Sequence, residues 1–222
     1  METQIKAIIQ KAEDTYQTAR FGYDDLVSTS RLRRFSGLRN LIVFGRSVTF
    51  VLQNLKTPVG EEAFNEWYIP LQEDMKQDVV MKYFVTLRNE ILKQGKLPIS
   101  TSVTATISSG DIAKLGNPPP GAQSFFIGDQ SGGSGWVIEL ADGTEEKYYV
   151  EIPESMAKVQ QHFSELPVPE EDSLKTKSIE ELCRYYLEKL ENLIDDAKLT
   201  FLNDQTQKVG SIRLPSYLRV VK

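Results

Sequence analysis

The sequence predicts a mainly α-helical protein: an up-and-down bundle of about four long helices with a small antiparallel β insert before the last of them. Apolar residues recur at helical spacing through residues 3–27, 31–56, 70–94 and 178–201. The stretch from 98 to 152 instead carries β-branched residues, glycine-rich loops and an Asp-Gly turn signal. No segment repeats at a fixed period, which argues against a solenoid. The division that follows is 1–97 as the first part of the bundle, 98–152 as the β-rich insert, 153–203 as the last part of the bundle and 204–222 as a basic tail.

The first helix rests on Ile5, Ile8, Ile9, Ala12, Tyr16, Ala19 and Tyr23, with no proline between them. Ser28, Thr29 and Ser30 are N-cap candidates for a second helix, residues 31 to 56, which Thr57-Pro58-Val59-Gly60 should end. Leu38, Leu41, Ile42, Val48, Leu52 and Leu55 form its apolar stripe, and Gly45 and Thr49 are small members that admit a close neighbour. A bend near Gly37 is expected. Glu61 to Tyr68 reads as a short helix, and Pro70 as the first turn of another that ends near Gln94 with Gly95 as its C-cap.

Beyond Pro98, Ser100 to Ile107, Trp136 to Leu140 and Lys147 to Ile152 read as strands, the last two flanking an Asp142-Gly143 hairpin turn. A sheet of two to four strands is expected. Residues 154 to 166 have spacing that fits a helix, and Ser178 with Glu181 forms a capping box for the last helix. Lys208 to Lys222 reads as a strand or an extended arm.

With 40% hydrophobic residues in 222, the chain can bury a substantial core. A net charge of −5 argues against a protein that coats nucleic acid with its whole surface. One cysteine, Cys183, and one histidine, His162, exclude an internal disulfide and the usual structural zinc sets. The expectation is a cytoplasmic protein with no membrane anchor, no metal and no cofactor. The aromatic residues Trp67, Tyr68, Tyr83, Phe84, Tyr185 and Tyr186 read mainly as core, with some available for a homodimer interface. Adjacent acidic residues such as Glu61-Glu62 and Asp195-Asp196 point apart on a helix and read as solvated faces.

Charge is distributed unevenly. From Leu26 to Gly60 the chain holds Arg31, Arg33, Arg34, Arg39, Arg46 and Lys56 without an acidic residue. Arginine forks suit phosphate, so Arg31, Arg33, Arg34, Arg39 and Arg46 are candidates for binding RNA or another anion. The competing reading is a solvated helix face, or pairing with carboxylates on neighbouring helices. The glycine loop 128 to 135 lacks the Lys-Ser/Thr ending of a P-loop and reads as a flexible hairpin connection.

Near the end of the helix before the insert stands Arg88-Asn89-Glu90-Ile91-Leu92-Lys93-Gln94. With the amphipathic helical pair before it, this segment resembles the HEPN superfamily, helical bundles whose ribonuclease members carry Arg, a polar residue, about four further residues and then His. The resemblance spans roughly residues 1 to 97 and the last helix. It implies a homodimer in which the arginine stabilises phosphate while the histidine handles protons. Arg88 and Asn89 match the start of the motif, but Lys93 and Gln94 stand where the histidine belongs.

General acid–base help is worth about 10²- to 10⁴-fold, and a lysine of ordinary pKa, about 10.4, is a poor base at neutrality. The expectation is a non-catalytic or weakly active HEPN-like module that binds RNA, nucleotide or a protein partner, in a setting such as bacterial defence. The alternatives are a metal-independent ribonuclease toxin using Arg88 and Asn89 with Lys93, His162 or another substitute for the missing histidine, and a dimerising helical scaffold without activity. A structural role for Arg88, at a helix C-terminus or in an internal ion pair, competes with all binding readings.

Overall fold

The computed structural model describes residues 1–28, 31–106, 115, 117–153 and 155–202. Helix α1, Glu2–Val27, buries Ile5, Ile9, Ala12, Tyr16, Ala19, Gly22 and Leu26, the expected face. A 3₁₀ turn, Arg31–Arg33, leads into α2, Arg34–Leu52. No side chain caps α2, so Ser28 is not its N-cap, and Thr29 and Ser30 lie outside the described residues. The predicted stripe of α2 is buried: Leu38, Leu41, Ile42, Val48 and Leu52 have no exposed surface.

Three boundaries differ from the expectation. The α-helix does not run unbroken to 56; it ends at Leu52, passes through a 3₁₀ turn, Gln53–Leu55, and resumes as the short α3, Lys56–Val59, before Gly60 at φ +90°. Helix α4, Glu61–Gln77, runs through Pro70 instead of stopping before it. Both Pro70 and Glu66, whose carbonyl loses its helical partner, are exposed, which leaves the missing bond on a face open to water. The break falls at Asp78, whose carboxylate accepts from the Val80 and Met81 amides and opens α5, Val79–Gln94.

The last long helix, α6, Ile179–Phe201, starts at the expected Ser178/Glu181 capping box and packs against α1, α2 and α5. Between α5 and α6 lie two small antiparallel sheets. Strand β1, Ile99–Ala105, pairs with β5, Ala157–Phe163, with Ile99 opposite Phe163. Strands β2, Ala122–Ile127, β3, Ser134–Glu139, and β4, Glu145–Val150, form the other in that order, with the Asp142-Gly143 turn joining β3 to β4.

Residues 157–163 are therefore a strand, correcting the helix expected over 154–166, and the β-rich part reaches past 152. Ala157, Gln161 and Phe163 are buried and Val159 half-buried on one face, a two-residue period. The same sequence places Val159, Phe163 and Leu166 at helical spacing, and only the distant partner strand decides between the two periods. Phe163 joins the helical core edge-on to Tyr83 and Phe84, at centroid distances of 5.5 and 5.8 Å. The tail from 204 lies outside the described residues.

Glycine sets how closely the helices approach. A Cβ at Gly37 would lie 2.6 Å from the Gly22 carbonyl oxygen and 2.6 Å from the Asp25 Cβ, so α1 and α2 touch through bare backbone. Gly45 makes the equivalent room for the ring of Tyr186, which stacks on Phe84 at 4.2 Å. A glycine-to-alanine change inside a helix ordinarily stabilises by roughly 1 kcal/mol. Gly37→Ala is expected to do the opposite, because backbone must move; the overpacking cost of about 1–3 kcal/mol should lower the melting temperature by several degrees. A rise in melting temperature measured by circular dichroism would refute the close crossing.

Candidate functional site

The basic segment is acid-free in sequence but not in space. Arg33 reaches Asp25 of α1 at 2.9 Å, and Lys56 reaches Glu61 at 2.5 Å. Arg34, 3% exposed, donates from Nη1 to the Leu26 carbonyl at 2.6 Å, from Nε to Gln161 Oε1 at 2.7 Å, and from Nη2 to Glu180 in a short ion pair. Arg34 is thus a tie among α1, α2, β5 and α6, with each of its three nitrogens engaged. Arg39 donates to the carbonyl of Gly95 at 3.4 Å, at the C-terminal end of α5, where a cation is favoured by the helix dipole. The five candidate arginines do not form one surface.

A second group gathers where α2 and α5 run antiparallel. The guanidinium of Arg46 lies 4.3 Å from the centre of the Phe50 ring and that of Arg88 5.8 Å from it. Arg46 also donates to the Thr49 hydroxyl, and Arg88 donates from Nη1 to Asn89 Oδ1 at 3.1 Å. Arg88 is half-buried, and its buried Nε has no hydrogen-bond partner among the described residues. Neither Arg46 nor Arg88 has a carboxylate within ion-pair distance among the described residues, while Phe50 is 44% exposed. Among the described residues Arg88 is therefore not locked in an internal salt bridge.

Lys93 lies one turn beyond Asn89 on α5 and is exposed, as is Gln94. His162 stands on β5, not on a helix, and both its nitrogens serve the fold: Nε2 is 3.0 Å from the Ser102 hydroxyl and Nδ1 2.9 Å from the Lys177 carbonyl. Cys183 is buried, and burial pushes its thiol well up. Trp67, Tyr68, Tyr83, Phe84 and Tyr186 are core as expected; Tyr185 is the exception, exposed with its hydroxyl 2.5 Å from Asp78 Oδ2. Asp196 accepts from the Trp67 indole at 2.6 Å and so does more than solvate its helix. Among the described residues no group of three or more His, Cys, Asp or Glu is placed to hold a metal, and no helix is long and apolar enough to cross a membrane.

Sequence reasoning missed Phe50. Its spacing of four from Arg46 on one helix face was the available signal. It also missed Gln161, Glu180 and Tyr149, which come to Arg34 and its surroundings from distant strands and helices and leave no local mark. The glycine loop is the hairpin connection between β2 and β3, and it is cross-linked: Asp129 Oδ1 accepts from the amides of Ser131 and Gly133, and Oδ2 from Lys147 and the Tyr149 hydroxyl at 2.7 and 2.8 Å.

The family described as Bacteriophage lambda protein ea47 matches residues 30–123, less than half of the chain. The match takes in Arg31 to Arg46 as well as Arg88, Asn89 and Lys93, and stops within β2. No curated protein and no solved structure matches the chain.

Burial alone would push the Glu180 carboxyl up, but the charge and hydrogen bond of Arg34 outweigh it and leave the group below its ordinary range. The pair's stabilisation is therefore complete above the ordinary glutamate pKa and is lost as pH falls through the depressed native value. Arg34→Met should cost about 3–5 kcal/mol at pH 7, since it strands Glu180, Gln161 and the Leu26 carbonyl. The same variant should lose less on acidification than the wild type. Urea melts at neutral and acid pH measure both; an unchanged neutral midpoint would remove Arg34 from its structural role.

Proposed function

We propose that this protein is an RNA-binding, HEPN-like helical module without ribonuclease activity, and that single-stranded RNA lies on the α2–α5 face. The observation that supports this most is the pair of arginines, Arg46 and Arg88, set against one half-exposed phenylalanine, with no carboxylate within ion-pair distance of either among the described residues. Stacking against Phe50 holds both guanidinium groups while their N–H edges stay available to phosphate. Aromatic and guanidinium planes are the surfaces on which unpaired bases stack. Arg39 lies two turns before Arg46 on the same helix stripe and extends the cationic track toward the end of α5.

Cleavage needs a group to take and return protons beside Arg88. Gln94 does not titrate, Lys93 is exposed, and His162 is engaged by Ser102 and Lys177. A setting between bacteria and their phages accords with the HEPN resemblance and with the partial likeness to a phage family. The homodimer is a second reading, favoured by Phe44, Val85 and Leu92, which are exposed on the same two helices.

A single-stranded RNA oligomer titrated in chelator should bind and remain intact. Arg46→Ala with Arg88→Ala should weaken binding about tenfold or more and reduce the slope of log affinity against log salt by about 0.7 for each phosphate no longer neutralised. Arg33→Ala should change neither. Rapid cleavage abolished by Arg88→Ala would establish the nuclease instead. Absence of binding, together with a dimer that Leu92→Asp dissociates in sedimentation, would favour the scaffold.

A further inference from the structure

A second feature lies elsewhere in the molecule. Between the start of α2, the ends of β3 and β4, strand β5 and the first turn of α6 is a cleft of about 840 Å³. Arg34 and Phe50 are sixteen residues apart on α2, roughly 24 Å along its axis, so the cleft and the α2–α5 face are separate places. The volume is within the range of about 300–1,000 Å³ usual for small-molecule sites.

The wall of this cleft has an apolar part and a cationic part. Val27, Val150, Ile152 and Val159 supply the first; Arg31 and Arg34 supply the second. Arg34 is spent on Leu26, Gln161 and Glu180. Arg31 differs: among the described residues its guanidinium makes one hydrogen bond, from Nη1 to the Ser131 carbonyl at 3.5 Å. Burial and the neighbouring charge of Arg34 both disfavour its cation. The carboxylates that act on it from a distance are committed elsewhere, Glu180 to Arg34 and Asp129 to Lys147, Tyr149 and two loop amides. Lys158 and Glu151, both exposed, add one charge of each sign to the lining.

The surrounding loop is shaped to this side chain without satisfying it. A Cβ at Gly133 would lie 2.5 Å from the Tyr149 ring, so glycine there lets that ring pack against the loop, and at 3.5 Å from the Arg31 Cγ the position is in ordinary contact with the arginine's stem. The loop packs around the aliphatic stem and leaves the N–H fork largely unused. An arginine with unspent donors beside an apolar wall fits a ligand that has an anionic group on an apolar body.

We propose that this cleft is a binding site for a phosphate monoester of nucleotide size, with the phosphate on the Arg31 fork and the base against Val27, Val150, Ile152 and Val159. This site is independent of the RNA face. A phosphate presents oxygens that a guanidinium grips through two parallel N–H···O bonds, and its negative charge favours a cation placed beside Arg34.

Adenosine 5′-monophosphate titrated calorimetrically into the full chain is the test, with adenosine and inorganic phosphate as separate arms. The monophosphate should bind at least tenfold more tightly than either. Arg31→Ala should remove at least tenfold of that affinity, while Arg33→Ala, which deletes the same charge from the same turn, should not. Val159→Trp fills the apolar half and should reduce the monophosphate's affinity to that of inorganic phosphate; this variant tests the site even where Arg31→Ala fails to fold. No heat with the monophosphate at millimolar concentration overturns the proposal. So does binding that survives Arg31→Ala, or adenosine binding as tightly as its phosphate.

Discussion

Arg34 and its three acceptors are the constraint on which the arrangement of the two halves depends. A guanidinium 3% exposed can persist only if each part of its fork finds an acceptor, because an unpaired buried charge costs several kcal/mol. Those acceptors come from the end of α1, the middle of β5 and the first turn of α6. An arginine in the first turn of α2 opposes that helix's dipole; the carboxylate of Glu180, in the first turn of α6, complements its own and offsets the mismatch. The pair sits between two helix N-termini and fixes strand β5 against both. Gln161, held by Arg34, donates in turn to the Gln130 carbonyl at 2.7 Å, and so anchors the β2–β3 loop and the three-stranded sheet behind it.

Close approach of α1 to α2 makes this tie geometrically possible. The Leu26 carbonyl can reach Arg34 only because the two helices cross at bare backbone, Gly22 against Gly37, one turn earlier on α1 and one turn later on α2. A larger residue at either glycine would push the end of α1 away from the start of α2. The same logic recurs at Gly45, where the missing side chain admits Tyr186 and draws α6 onto α2. Helix α2 is therefore the shared wall, touching α1, α5 and α6, and its small residues set the distances at which its polar ones can work.

The helices were legible because each carries its own periodic stripe, and local spacing is enough to identify a buried face. The capping box at Ser178 was legible for the same reason. Strand β5 was not: residues 157–166 satisfy both periods, and the deciding interaction is pairing with a strand nearly sixty residues earlier. Pro70 misled because a proline's cost depends on whether the orphaned carbonyl meets water, which is a property of the fold. The partners of Arg34 were invisible for the strongest reason, since hydrogen bonds spanning 127 and 146 residues leave no local trace in composition or spacing.

The arginines show how far a charge count can depart from charge in space. On sequence they form one acid-free run; in the fold each takes the chemistry of the element it faces. Those facing α1 and α6 meet carboxylates and become structure. Arg46 faces α5, whose contribution there is Arg88 and neutral Asn89, and Arg31 faces a cleft where Glu180 and Asp129, the carboxylates that act on it, are already bonded to other groups. A net charge of −5 does not cancel these places, because at physiological salt a charge is screened beyond about 8 Å. A phosphate within hydrogen-bond reach of Arg46, Arg88 or Arg31 responds chiefly to that arginine and its immediate neighbours. Any anion site on this acidic chain is therefore to be sought at the guanidinium groups that the described residues leave without an acid within reach.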